Sequence, residues 1–121
     1  MTLAPYLDDL ERRIDAAVED QLWQDWQAFT NGAFGGDIFT PRRARCSPPG
    51  IAWPHASVNQ ALQDFDCMAL QQLAGCSAQL EHGGGGLLCV RSNYGTPIMP
   101  SLFGAELCLM DEALETLPCA R

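Results

Sequence analysis

Gly83-Gly84-Gly85-Gly86-Leu87-Leu88-Cys89-Val90-Arg91-Ser92-Asn93-Tyr94-Gly95-Thr96 is the stretch on which the fold reading turns. The four glycines stop the helical pattern before them, because glycine adopts the left-handed backbone common at helix ends. The apolar run from Leu87 to Val90 is too short for a helix and is flanked by turn residues, which predicts a buried strand. Nucleotide-binding glycines follow a strand and open a helix, whereas these precede the strand, so no phosphate cradle is expected. In parallel α/β folds, ligands bind beyond the carboxyl ends of the strands. Arg91, Asn93 and Tyr94 occupy that end of the predicted strand, and a cation, an amide and a phenol there suit a carboxylated substrate. Gly95 lets backbone approach closely.

Upstream, Ser57 and Gln60 have the spacing of a capping box and open a helix over 57–82. Its apolar stripe runs through Val58, Leu62, Phe65, Ala69, Leu73, Cys76 and Leu80, with Gly75 as a candidate break. Asp64 and Asp66 flank Phe65 and project away from the stripe, towards solvent. Another apolar stripe, from Leu7 through Leu10, Ile14, Val18, Leu22 and Trp26 to Phe29, predicts one long amphipathic helix over 5–29. Asp8, Asp9 and Glu11 are read there as carboxylates facing the positive end of the helix dipole, and Asn31 with Gly32 supplies the stop.

Between these helices, residues 31–56 form a proline- and glycine-rich loop containing the sequence's one basic cluster, Arg42, Arg43 and Arg45. The cluster is either solvated or a second candidate anion site, using bidentate guanidinium contacts. Downstream, residues 87–118 read as strand, loop and strand, with the later strand over 105–110 and a short helix over 111–117. Two such strands cannot form a parallel sheet covered on both faces. The expectation is therefore a partial domain, 1–121, that belongs to a larger α/β fold, or else a small non-enzymatic domain that associates with itself or docks onto a partner subunit through Trp23, Trp26 and the apolar strands.

Fifteen carboxylates face seven arginines and no lysine, for a net charge of −8 over 121 residues. That balance argues against nucleic acid or an anionic membrane as partner. Without lysine, Schiff-base chemistry and a Walker-type loop are excluded. No apolar run approaches the roughly 18 residues of a membrane span, and the charged start does not read as a signal peptide. Cys46, Cys67, Cys76, Cys89, Cys108 and Cys119 lie 21, 9, 13, 19 and 11 residues apart. Zinc sites need closer pairs, so the thiols read as reduced, small buried hydrophobes of a cytoplasmic protein, with no metal and no cofactor. His55 has no Ser or Cys in sequence that it would evidently activate.

Val90-Arg91-Ser92-Asn93-Tyr94-Gly95-Thr96, then Pro100-Ser101-Leu102-Phe103-Gly104-Ala105-Glu106 and the closing Leu117-Pro118, resemble the amino-terminal third of uroporphyrinogen decarboxylase-like proteins. Val58-Asn59, Asp64, Asp66 and Met68 fit the same pattern, and the resemblance covers roughly residues 38 to 118. It implies the amino-terminal fragment of a (β/α)₈ TIM-type barrel, a fold of about 250 residues. Its first strand would be Leu87 to Val90. The family includes decarboxylases and corrinoid-linked methyltransferases, so the implied full-length activity is either reaction on a small anionic or methyl-donor substrate. Pro41-Arg42-Arg43-Ala44-Arg45 has the charge of the decarboxylases' amino-terminal arginine motif but not clearly its pattern. The methyltransferases' zinc ligands belong to a later part of the barrel.

Overall fold

The computed structural model describes residues 2–121. In chain order these form α1 (Ala4–Arg13), α2 (Ala16–Thr30), α3 (Val58–Gln63), α4 (Phe65–His82), α5 (Ile98–Ser101), β1 (Leu107–Cys108), a 3₁₀ turn (Glu112–Leu114) and β2 (Cys119–Ala120). The protein is mostly helical with one small antiparallel sheet, and is α/β in that loose sense. No described helix is long and apolar enough to cross a membrane. The chain divides into two compact units, and the division falls within α4, between Gln72 and Leu73.

The first unit comprises Ala4–Trp53 and Leu73–Cys89. The single helix expected over 5–29 is two helices here. Asp15 leaves helical geometry, with φ −108° and ψ 111°, and its carboxylate accepts from Ala17 N–H at 3.1 Å. A short acidic side chain that caps the next helix offers the backbone an alternative to continuing the previous one. At the far end, Asn31 N–H bonds to Gln27 O and Gly32 takes φ +73°, which closes α2.

Leu10, Cys76 and Leu80 are the buried centre of this unit, with Trp53, Leu73 and Leu88 packed against them. Beside them lies a polar cluster. Asp9 and Arg13 are 1% and 6% exposed, and Arg13 Nη1 meets Asp9 Oδ2 at 3.0 Å, one helical turn away. The guanidinium also donates to Ser47 O, Ser77 O and Ser77 Oγ. Asp9 accepts from Gly50 N–H at 2.9 Å and from the Trp53 indole at 3.2 Å. Asp9, expected to face the positive end of the helix dipole, is instead buried and lies beyond the first turn of α1. It ties α1 to the loop. Burial pushes the Asp9 carboxyl up, but the Gly50, Arg13 and Trp53 hydrogen bonds and the Arg13 charge outweigh it and hold the pKa below the ordinary 3.8.

The second unit comprises Pro54–Gln72 and Val90–Arg121 with the start of the chain. Ser57 and Gln60 form the reciprocal capping box that their spacing predicts. The helix expected over 57–82 is interrupted at Asp64, which takes φ −134° and ψ 123° and accepts from Cys67 N–H at 2.8 Å. Gly75 leaves α4 unbroken. Ala56, Ala61, Met68 and Leu70 are this unit's buried apolar residues.

The buried strand expected at Leu87–Val90 does not form. Those residues have no regular structure, Leu87 is 36% exposed and Val90 59%. A strand requires a neighbour to pair its backbone, and the pairing present is β1 with β2, Leu107 opposite Ala120 and Cys108 opposite Cys119. What holds the segment is local: Leu88 joins the Leu10 cluster and the Cys76 thiol donates to Cys89 O at 3.5 Å. The strand expected over 105–110 shrinks to Leu107–Cys108, and the helix over 111–117 to a single 3₁₀ turn ending at Glu115 with φ +47°. Ile98–Ser101, within the loop expected between the two strands, is a short helix.

Candidate functional site

Arg91, Asn93 and Tyr94 do come together. With Ser92, Thr96, Ile98 and Leu117 they line a cavity of about 350 Å³ in the second unit. They lie in an extended loop, since no strand precedes them, and two anchors shape it. Asn93 N–H points at the sulfur of buried Met68, 3.3 Å away on α4. Gly95 turns the chain at φ +81°, where a Cβ would stand 3.3 Å from both Leu117 Cβ and Pro97 Cδ. A side chain there would be strained by the backbone angle and would press on the cavity wall.

Leu117, also in the lining, belongs to a segment fixed from several points. Glu115 Oε2 accepts from Val58 N–H at 3.3 Å, and Glu115 Oε1 lies 3.1 Å from His55 Nε2. Ser57 Oγ donates to Glu112 Oε1 at 3.0 Å, and the Asn59 amide donates to Met110 O at 3.0 Å. The His55 and Val58 hydrogen bonds hold the Glu115 carboxyl below its ordinary value. His55 is therefore a positioned but exposed partner of a carboxylate, with no Ser or Cys against it among the described residues. These bonds place Leu117 at the cavity.

Within the cavity the polar groups are free to act. The Arg91 guanidinium, the Asn93 amide and the Tyr94 hydroxyl make no hydrogen bond or ion pair with another described residue. One permanent cation, one amide donor and one phenol fit an oxyanion. The lining includes no carboxylate, imidazole or thiol to serve as general base or nucleophile.

The basic cluster separates into three different fates, all in the first unit. Arg43 is buried, its guanidinium clasps both carboxylate oxygens of Glu19 at 2.6 and 2.8 Å, and it also donates to Gly84 O. Each guanidinium nitrogen is engaged and the side chain is fully buried, so Arg43 braces the fold and is closed to a substrate. Arg45, 64% exposed at its side chain, pairs with Asp15 at 3.6 Å. Arg42 alone of the three is unpaired, on the rim of a cavity of about 500 Å³ lined by Asp25, Phe34, Ile38 and Phe39. Phe39 stacks on Phe29 with centroids 4.2 Å apart and meets Trp26 edge-on at 4.9 Å.

The glycine run has a role its sequence did not disclose. Gly83 O accepts from Arg43 N–H, Gly84 O from the Arg43 guanidinium, and Gly85 O from the Trp26 indole at 2.8 Å. Trp26 is thereby committed to the first unit, while Trp23 is 52% exposed. The cysteines also depart from expectation: Cys76 is buried, Cys67 and Cys108 are half-buried, and Cys46, Cys89 and Cys119 are exposed. All six are free thiols, and burial raises the Cys76 pKa above its ordinary value. No three His, Cys, Asp or Glu side chains among the described residues converge in a way that would hold a metal ion.

Comparison with protein-family models, with curated proteins and with solved structures finds no match.

Proposed function

We propose that the Arg91–Asn93–Tyr94 cavity binds a small carboxylated molecule, or the carboxylate arm of a larger one. The observation that carries this is the convergence of three unpaired polar side chains on one cavity of about 350 Å³, in a protein whose net charge is −8. An acidic protein offers an anion little general attraction, so recognition falls to a local cation with matched donors. The resemblance to uroporphyrinogen decarboxylase-like proteins supports the same substrate class. On that reading the chain is the amino-terminal part of a (β/α)₈ barrel whose full-length form decarboxylates, or transfers a methyl group from, its substrate. The cavity supplies binding and orientation. A proton-transfer group would come from outside its lining.

Titration of the full chain with succinate, followed by calorimetry, tests the binding step. Saturable binding is expected, with Arg91→Ala weakening it by roughly tenfold or more, the size of a lost charge-assisted hydrogen bond. Arg45→Ala, distant in chemistry and already paired with Asp15, should leave it unchanged. Equal affinity in wild type and Arg91→Ala would sink the assignment.

A second reading has its own observation. Met99, Leu102 and Phe103 in the second unit are 60%, 71% and 87% exposed, an apolar group that water does not favour. A second copy of this chain covering that face would make the protein a self-associating module. Light scattering should then give a dimer mass at micromolar concentration that Phe103→Asp reduces to a monomer. A monomer in the wild type rejects this reading.

A further inference from the structure

We propose that Cys108 and Cys119 are a paired oxidation site, joined by a reversible cross-strand disulfide when the protein meets a hydroperoxide. The register places them directly opposite each other in the antiparallel pair. Glu106 and Arg121 exchange both backbone hydrogen bonds, at 3.2 and 3.0 Å. Hydrogen-bonded pairs alternate along such a ladder, so the next one is Cys108 with Cys119. Facing Cα atoms in a pair of this kind stand about 5.5 Å apart, inside the roughly 4.4–6.8 Å that a disulfide spans. Facing residues also put their side chains on the same side of the sheet.

Access and adaptability favour the reaction as well. Cys119 is exposed and Cys108 half-buried, so a small oxidant reaches the pair. The strands are two residues each, short enough to draw together as the bond forms. Cys119 Sγ lies 3.8 Å from Met110 Sδ, with no acidic or basic group in that contact. None of the other four cysteines stands in a ladder register with a second one.

The chemistry balances with hydrogen peroxide as oxidant. The Cys119 thiolate attacks the peroxide; an S–O bond forms, the O–O bond breaks, and the leaving hydroxide takes up a proton as water. The Cys108 thiolate then attacks the sulfenic sulfur; the S–S bond forms, the S–O bond breaks, and a second hydroxide leaves as water. Two thiols lose two electrons and the peroxide gains them. The bond closes the segment 109–118, which carries Leu117 to the cavity wall and is already pinned by Glu112, Glu115 and Met110 O. Oxidation would fix that wall. The bridge itself stands whether or not the cavity binds an anion.

Trypsin releases Cys108 and Cys119 together in the peptide 92–121 and the other four cysteines in 46–91. The native full chain is treated with equimolar hydrogen peroxide, alkylated, digested and weighed. The expected product is a 92–121 peptide two hydrogens lighter and closed to alkylation, with 46–91 fully alkylated. Further cleavage after Glu112 and Glu115 should leave its two halves linked until a reductant is added. In a glutathione redox buffer the folded chain should be half-bridged under conditions roughly tenfold more reducing than the urea-unfolded chain. Cys119→Ser should leave Cys108 alkylated. Full alkylation of 92–121, a mixture of bridges spread over both peptides, or the same glutathione midpoint folded and unfolded would each overturn the proposal.

Discussion

Replacing Arg13 with alanine lowers the unfolding free energy by about 3–5 kcal/mol, read from urea denaturation at neutral pH, the cost of stripping one partner from a buried ion pair. The substitution leaves Asp9, 1% exposed, as a charge without its main counterion, and removes the guanidinium that donates to Ser47 O, Ser77 O and Ser77 Oγ. Arg12 supplies the control. It approaches the same carboxylate at 3.5 Å, but its side chain is 68% exposed. Solvent screening reduces such a pair to about 1 kcal/mol or less, so Arg12→Ala should be nearly silent. Equal losses for the two variants would mean that burial of Arg13 is not what stabilises α1 against the loop. The same network fixes the acid side of the stability curve. Because the folded pKa of Asp9 lies below its ordinary 3.8, its contribution is complete above that value and is lost as pH falls through the lowered one. Stability should therefore drop on acidification below about pH 4, and with a shallower slope in Asp9→Asn.

This network was within reach of the sequence. Asp9 and Arg13 are spaced one helical turn apart, the spacing of a side-chain pair. What the spacing does not contain is burial, which comes from Gly50, Trp53 and Ser77 arriving from distant positions. The helix breaks were hidden for a related reason. Asp15 and Asp64 each end one helix and cap the next within one or two residues, so the apolar stripe passes through the interruption and periodicity alone cannot detect it. Ser57 with Gln60 was legible because a capping box is wholly local.

The strand at Leu87–Val90 failed on the opposite ground. Apolar content marks a segment for burial, and Leu88 does pack against the core, but strand geometry depends on a neighbour that sequence pattern does not supply. The grouping of Arg91, Asn93 and Tyr94 survives the loss because it rests on the turn that follows, held by Gly95 and Met68. Within the basic cluster, position along the chain offers no means to tell Arg43 from Arg42. Their difference is made by Glu19 and Gly84, which accept from one and not from the other. The Cys108–Cys119 pairing likewise exists only in the register.

Gly85→Ala destabilises the protein by about 2 kcal/mol or more, whereas Gly86→Ala, one residue along the same run, is neutral or stabilising by about 0.4–1 kcal/mol. An alanine methyl at Gly85 would stand 1.9 Å from Pro41 O and 2.5 Å from Pro41 C, both backbone atoms that cannot rotate away. At Gly86 the nearest atoms belong to the Gln79 side chain, at 3.4 Å, an ordinary contact. Neither glycine has a positive φ, so backbone strain does not enter and the pair isolates steric approach. Relief at Gly85 must come from moving residues 83–85 away from the loop, which loosens the Gly85 carbonyl from the Trp26 indole and the Gly83 carbonyl from Arg43 N–H. Parallel urea titrations of the two variants measure the difference directly. If both alanines are tolerated equally, the tetraglycine is only a helix stop, as its sequence suggests; if Gly85 alone is intolerant, it is the surface on which the arginine loop is seated.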